Sequence, residues 1–345
     1  MYRINVLRRL ALAGTLLAFC VVVFGAYVRL SDAGLGCPDW PGCYGHVTPA
    51  QAAAADAGTA DAPLHVGKAW REMIHRYAAS TLGLIILVIA GLAWYWRRHP
   101  GVPSRLPLAL VALVIFQGLL GMWTVTLLLK PLIVTLHLVF GLATLSLLWW
   151  LWLSLRRRST APWSGTVSAM GGGTAAALLL PAPPLVRRAA LIAAIALGVQ
   201  IILGGWTSSN YSAVACPDFP TCQASWWPEA DYRDAFVLWR GLGINYEGGV
   251  LDHPARVAIH FTHRLGAVVA TLTLLFAAVA SLRGRPGRNR RWAAIAVIGA
   301  LLLQLTIGIL LVKRGFPLWL ATAHNAGAAL LLLSTLALNR ALRRV

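Results

Sequence analysis

The sequence predicts an all-α integral membrane protein, with eight transmembrane helices forming two tandem pseudo-symmetric four-helix bundles and both termini in the cytoplasm. Three observations lead there. Of 345 residues, 58% are hydrophobic and only 12% charged, with a mean hydropathy of +0.69, so lipid is the solvent for most of the chain. Eight apolar stretches each supply the roughly 20 helical residues that a bilayer core requires. The second four stretches repeat features of the first four in register. Disorder is excluded, because 15 Trp and long Leu/Val/Ala runs bury too much apolar surface.

The spans fall at about 10–30, 72–94, 107–128, 132–153, 189–208, 257–281, 293–312 and 318–339. The first follows MYRINVLRR and resembles a signal peptide, but its length and the lack of a small-x-small cleavage site predict a retained helix 1. With eight spans, segments 1–9, 95–106, 154–188, 282–292 and 340–345 share one side. They hold 19 of the 30 basic residues and none of the 11 acidic ones, which places them in the cytoplasm and the long loops 31–71 and 209–256 outside. The net charge of +19 is therefore a topology signal, and no nucleic-acid partner is expected.

The duplication is carried by several features at once. Gly25 lies twelve residues before Cys37, and Gly204 twelve before Cys216. CPDWPGC at 37–43 matches CPDFPTC at 216–222, EMIHR at 72–76 matches HFTHR at 260–264, and Gln117 and Gln304 each precede a histidine, His137 and His324, by twenty residues. The domains expected are an N-terminal bundle at 1–158, a cytoplasmic linker at 159–188 and a C-terminal bundle at 189–345. The linker core, 159–185, is rich in Gly, Ala and Pro.

His75, His137, His263 and His324 each lie near the start of an even-numbered helix, so all four are expected at one depth near the outer surface. Ionisable residues in spans are functional candidates by default. Two imidazoles facing each other across a four-helix bundle suit the axial positions of a haem, whereas zinc normally takes three or four ligands. Arg76 and Arg264 follow a ligand directly and are candidates for pairing with haem propionates, with solvated interfacial arginine as the alternative. His46, His65, His99 and His253 read as solvated loop residues. His260 is open between a partner that supports the ligand, an alternative ligand and a polar helix start.

Glu72 stands where the second half has His260, one turn before the ligand and on its face of the helix. A carboxylate there suits a proton acceptor or a stabiliser of developing positive charge; the plainer reading is an ion pair with Arg71, Arg76 or Lys68. The asymmetry suggests one bundle whose haem is transformed and one whose haem carries electrons. The pairs Cys37/Cys43 and Cys216/Cys222 lie in outer loops in an oxidising compartment, read as structural disulfides or as redox-active thiols. Cys20, within helix 1, is expected to be a buried packing residue.

The duplicated plan, EMIHR, CPDWPGC, HLVFG in helix 4, HFTHRLG in helix 6 and HNAGA in helix 8 resemble the haem A synthases over nearly the whole chain. The resemblance implies a bacterial inner-membrane oxidoreductase that converts the C8 methyl of haem O to a formyl group for terminal oxidases. It implies a haem b cofactor on His263 and His324, substrate haem on His75 and His137, catalysis by Glu72 and active sites toward the periplasm. Delivery from a haem O synthase and transfer to oxidase assembly factors are expected from the pathway. Two rivals stand beside this reading. A di-haem b-type cytochrome passing electrons from quinol explains the histidines but not Glu72, and a membrane thiol oxidoreductase explains the cysteines but not the histidines.

Overall fold

A computed structural model describes residues 2–58, 63–160, 182–284 and 286–343. Among these, eight helices are long and apolar enough to cross a membrane. They are α1 (Tyr2–Leu30), α2 (Val66–Tyr95), α3 (Arg105–Thr126), α4 (Pro131–Thr160), α5 (Pro184–Ser209), α6 (His253–Leu282), α7 (Arg288–Lys313) and α8 (Leu318–Leu342). Every expected span falls on one of these helices, and only the third, by a few residues, runs past its helix's end. The apolar stretch alone understates most of them, because polar ends extend the helix beyond the hydrocarbon core. Thus α1 takes in Arg3, Arg8 and Arg9, and α5 starts at Pro184, where a proline costs nothing at the first helical position. The expected linker therefore ends earlier than 188; most of it, 161–181, lies outside the described residues.

Each run of four helices closes on itself. In the first, α1 and α3 each pack on α2 and α4; in the second, α5 and α7 each pack on α6 and α8. The first core takes one stripe per helix, Leu7, Ala11 and Ala18 of α1 against Leu82, Ile86 and Ile89 of α2 and Leu145, Leu148 and Leu155 of α4. The second sets Ala190, Ala193 and Leu197 of α5 against Leu274, Ala277 and Ala278 of α6 and Ala294 and Val297 of α7. Leucines of the opposite faces point outward, with Leu16, Leu84 and Leu272 about 60% exposed. Between lipid and core the difference is tightness of packing rather than hydrophobicity, so small residues mark the seams. The same logic corrects the expectation for Cys20, which is exposed on the outward face of α1.

The two sets of helices meet through α1 on α8, α4 on α5 and α4 on α8. Thr135 of α4 bonds Ser209 of α5 at 3.1 Å, the Trp149 indole donates to Leu333 O at 3.0 Å, and Arg29 donates to Ser208 O at 3.0 Å while lying 4.0 Å from the Tyr211 ring. The loop between α5 and α6 also reaches across. Lys130, buried between α3 and α4, donates to Gly241 O at 2.5 Å with its ammonium 3.6 Å from the Trp239 ring centroid. Tyr246 N–H donates to Leu128 O at 3.0 Å, and Lys68 pairs with Glu247 at 3.8 Å.

Candidate functional site

The four histidines lie six to ten residues into α2, α4, α6 and α8. At 1.5 Å per residue that puts them about 9–15 Å below their helix starts. The rings of His75 and His137 face each other with centroids 6.5 Å apart and planes at 79°. Two imidazoles on opposite sides of one iron, at about 2 Å each, would hold their centroids about 6 Å apart. The spacing therefore fits one metal between them. The Nδ1 atoms of both rings are buried without a partner, so their hydrogen-bonding capacity is not spent on the protein. In the second half His324 lies within electrostatic reach of His263.

Each ring also rests against a glycine of a neighbouring helix. A Cβ added at Gly25 would meet His75 Cε1 at 2.7 Å, at Gly308 would meet His324 Cε1 at 3.0 Å, at Gly204 would meet His263 Cε1 at 3.1 Å and at Gly121 would meet His137 Cε1 at 3.4 Å. Each bundle thus offers a cradle wide enough for an imidazole and too narrow for a side chain beside it. Gly121 and Gly308 both lie sixteen residues before their histidine, a spacing that could have signalled them from sequence.

Three glutamines surround the same rings. Gln117 Nε2 donates to His137 O at 3.0 Å. Gln200 Nε2 lies 3.0 Å from both His263 Nδ1 and His263 O, and Gln304 Nε2 lies 3.2 Å from each ring nitrogen of His324. Gln200 has no counterpart in the first half, where the same distance before Gly25 brings Val21, and repeat comparison could not reveal it.

Glu72 is buried, 5% exposed, one turn before His75. Its Oε1 accepts from Arg76 at 2.5 Å and its Oε2 accepts from Cys37 N–H at 3.0 Å. The ion pair weighed from sequence is present, with Arg76 as the partner. Arg76 donates further to the carbonyls of Asp39, Pro41 and Gly42 at 3.0, 3.2 and 2.5 Å. In the second half Arg264 donates to Thr221 O at 2.7 Å, Cys216 O at 2.9 Å and His260 Nε2 at 3.3 Å. Both arginines, candidates for propionates or solvated interfacial residues from sequence, hold the cysteine loops onto the ligand helices. His260, 5% exposed, occupies the position of Glu72 and takes the role of arginine partner.

Both cysteine pairs are closed as disulfides, Cys37–Cys43 and Cys216–Cys222, with all four residues buried. The two loops share one construction. Asp39 accepts from the N–H groups of Tyr44 and Gly45, and Asp218 from those of Gln223 and Ala224. Donation from these amides and from the Thr221 hydroxyl holds the Asp218 carboxyl below the usual carboxylate range. His253 is bonded to Gln223 at 3.1 Å at the start of α6 and takes no part in the ring pairs.

The comparisons with known proteins agree over nearly the full length. Residues 8–336 match the COX15-CtaA family, described as cytochrome oxidase assembly protein. The chain is 42% identical to a heme A synthase of Shewanella oneidensis over 96% of this chain and 94% of that protein. It is 27% identical to a heme A synthase of Halalkalibacterium halodurans, covering 92% and 91% of the two chains. A heme A synthase of Erythrobacter litoralis is 28% identical over 92% of each.

Proposed function

From the premise that this chain belongs to the COX15-CtaA family of cytochrome oxidase assembly proteins, we propose how its residues divide the work of oxidising haem O to haem A. The protein is a multi-pass membrane oxidoreductase of that activity, with haem O as substrate and haem in its chemistry. Our reading gives the N-terminal bundle, 1–158, the substrate haem on His75 and His137. The C-terminal bundle, 189–345, takes a resident haem b on His263 and His324, with the linker 159–188 between them. The observation that carries this assignment is the 6.5 Å ring pair with Glu72 one turn away, against a second pair that has His260 in its place.

With water as the oxygen source, turning a methyl into a formyl group releases four protons and four electrons, which an external oxidant must take up; histidines holding the substrate iron on both sides would leave it no site for bound oxygen. Bound haem b supplies one-electron redox chemistry. Glu72, one turn from His75 and held by Arg76 and the Cys37 amide, accepts a proton at its carboxylate. Gly205 bears on the electron route between halves. A Cβ there would meet Leu138 at 3.1 Å and Thr135 at 3.3 Å, while its neighbour Gly204 abuts His263 and Leu138 adjoins His137, so one helix contact separates the two pockets.

The tandem symmetry is supported by the contact pattern: exchanging α1 with α5 and α4 with α8 turns the α1–α8 contact into α5–α4 and leaves α4–α8 unchanged. That behaviour suits a two-fold axis along the membrane normal. The distribution of the 19 inner basic residues supports cytoplasmic termini and a periplasmic active face of a bacterial inner membrane. Arrival of haem O from its synthase and departure of haem A to oxidase assembly factors complete the reading.

Glu72→Gln tests it, because the amide keeps an acceptor for Cys37 N–H and loses the basic carboxylate. Haems extracted from the purified variant and separated by chromatography should include both haem O and haem b, with conversion to haem A slowed about 10²–10⁴-fold. Normal conversion at normal haem content refutes the role of Glu72. Haem b as the sole haem in both bundles refutes the synthase assignment in favour of a di-haem cytochrome.

A further inference from the structure

Ligand histidines in metal sites almost always donate their remaining ring N–H to a neighbour, which fixes the ring and raises its basicity. The two bundles differ in this respect. In the second, both rings have a carboxamide at hydrogen-bond distance, Gln200 at His263 Nδ1 and Gln304 at His324. In the first, both Nδ1 atoms are unpartnered: Val21 stands in the place of Gln200, and Gln117, the counterpart of Gln304, bonds the His137 backbone carbonyl and neither ring nitrogen.

The space for the two carboxamides is built in. Gly266 and Gly327 each lie three residues after their histidine, and a Cβ at either would collide with the Oε1 of Gln200 or Gln304. The corresponding residues of the first half are Ala78 and Phe140, and the glycine that makes room for Gln117 there is Gly141, one residue further on, where a Cβ would meet Gln117 Nε2 at 3.1 Å. The Oε1 atoms of all three glutamines are buried without a partner, but only in Gln200 and Gln304 does the amide that could offer this acceptor lie against a ring nitrogen. An iron on Nε2 makes Nδ1 a donor. A half-turn of the Gln200 amide then presents Oε1 to Nδ1, exchanging the nitrogen's bond to His263 O for one from the ligand ring.

We infer that Gln200 and Gln304 are positioning residues that make the C-terminal haem site a retaining one, and that the N-terminal site, with Val21 in the place of Gln200 and a Gln117 that bonds neither ring nitrogen, is left able to exchange haem. The inference rests on the division of roles proposed above. It gives that division a physical cause: a substrate must enter and its product leave, whereas a relay must stay. The asymmetry lies in the ligands' neighbours, since the ligands themselves are identical.

The test uses full-length protein in detergent micelles, with haem-free myoglobin as the acceptor for released haem, and follows loss of each haem type. Gln200→Val, which copies the first half, should speed loss of haem b about 10–100-fold and leave loss of haem O unchanged. Gln200→Glu keeps an acceptor for Nδ1–H, so it should restore slow loss while lowering the reduction potential of that haem. Val21→Gln with Ala78→Gly should slow haem O loss. Equal rates of haem b loss from wild type and Gln200→Val, at equal folded yield, overturn the inference. His263→Ala keeps the two proposals apart. If that variant lacks haem O and keeps haem b, the assignment of bundles is wrong, while the Gln200 series still decides whether this carboxamide retains whichever haem His263 holds.

Discussion

Substituting alanine for each of the four cradle glycines in turn should damage the protein in the order of the clearances at the rings. At Gly25 the new methyl would lie 2.7 Å from His75 Cε1, and ordinary contact begins near 3.4 Å, so the ring must retreat by about 0.7 Å. Ligand constellations tolerate about 0.5 Å before function suffers, and misplacement near 1 Å can cost about 10²-fold in rate. Overpacking of this kind costs about 1–3 kcal/mol in stability. At Gly308 and Gly204 the clearances of 3.0 and 3.1 Å require about half that retreat, and at Gly121 the 3.4 Å clearance requires none. Gly25→Ala should therefore lower haem O conversion about 10–100-fold and disturb the low-spin absorption of the N-terminal haem. Gly308→Ala and Gly204→Ala should act more weakly and on haem b, and Gly121→Ala should be nearly silent. The assay is the visible spectrum of each purified variant together with chromatography of extracted haem. Equal damage from Gly25→Ala and Gly121→Ala, or a normal spectrum for Gly25→Ala, would show that the glycines do not seat ligand rings.

Ligand substitutions should sort by bundle: His75→Ala or His137→Ala should remove haem O and leave haem b, and His263→Ala or His324→Ala the reverse, as read by haem content. The two disulfides should differ in what they control. Each contributes about 2 kcal/mol by shortening the loops of the unfolded chain, but only the first carries the amide that donates to Glu72. Cys37→Ser with Cys43→Ser should therefore slow conversion at equal haem content, whereas Cys216→Ser with Cys222→Ser should lower thermal stability with a smaller effect on rate; equal losses of rate would contradict the link through Glu72.

The parts legible in the sequence share a physical property: they are periodic or charged. Hydropathy located the eight helices because backbone in lipid must satisfy its own hydrogen bonds. The histidine pairs stood out because ionisable residues are costly in a membrane. What stayed hidden depends on contacts that carry no sequence signature. Arg76 reaches carbonyls thirty-four to thirty-seven residues away, and a carbonyl is the same in every residue, so its hold on the loop carries no sequence signal. Gln200 was invisible because only one half has it. Gly25 and Gly204 were used as landmarks of the repeat, yet their purpose, room for an imidazole, appears only when α2 and α6 are packed beside them. Cys20 was misplaced because an apolar residue in a membrane helix is at home on either face.

The ammonium of Lys130, enclosed by the Trp239 ring and Gly241 O, makes the long loop of the second half a strap fastened to the first. Arg29 on Tyr211 fastens the same end a second time. Rocking one bundle against the other would have to pull a buried cation from its carbonyl and its ring, the most expensive kind of contact to open. Separation of helices inside one bundle breaks dispersion contacts, with lipid ready to replace them, and neutral carboxamide bonds such as Gln117 to His137 O and Gln200 to His263, which carry no charge. The mechanically soft direction of this molecule therefore runs between neighbouring helices of a single bundle, which favours sideways passage of a flat hydrophobic ligand from the bilayer over a hinge that opens between the halves.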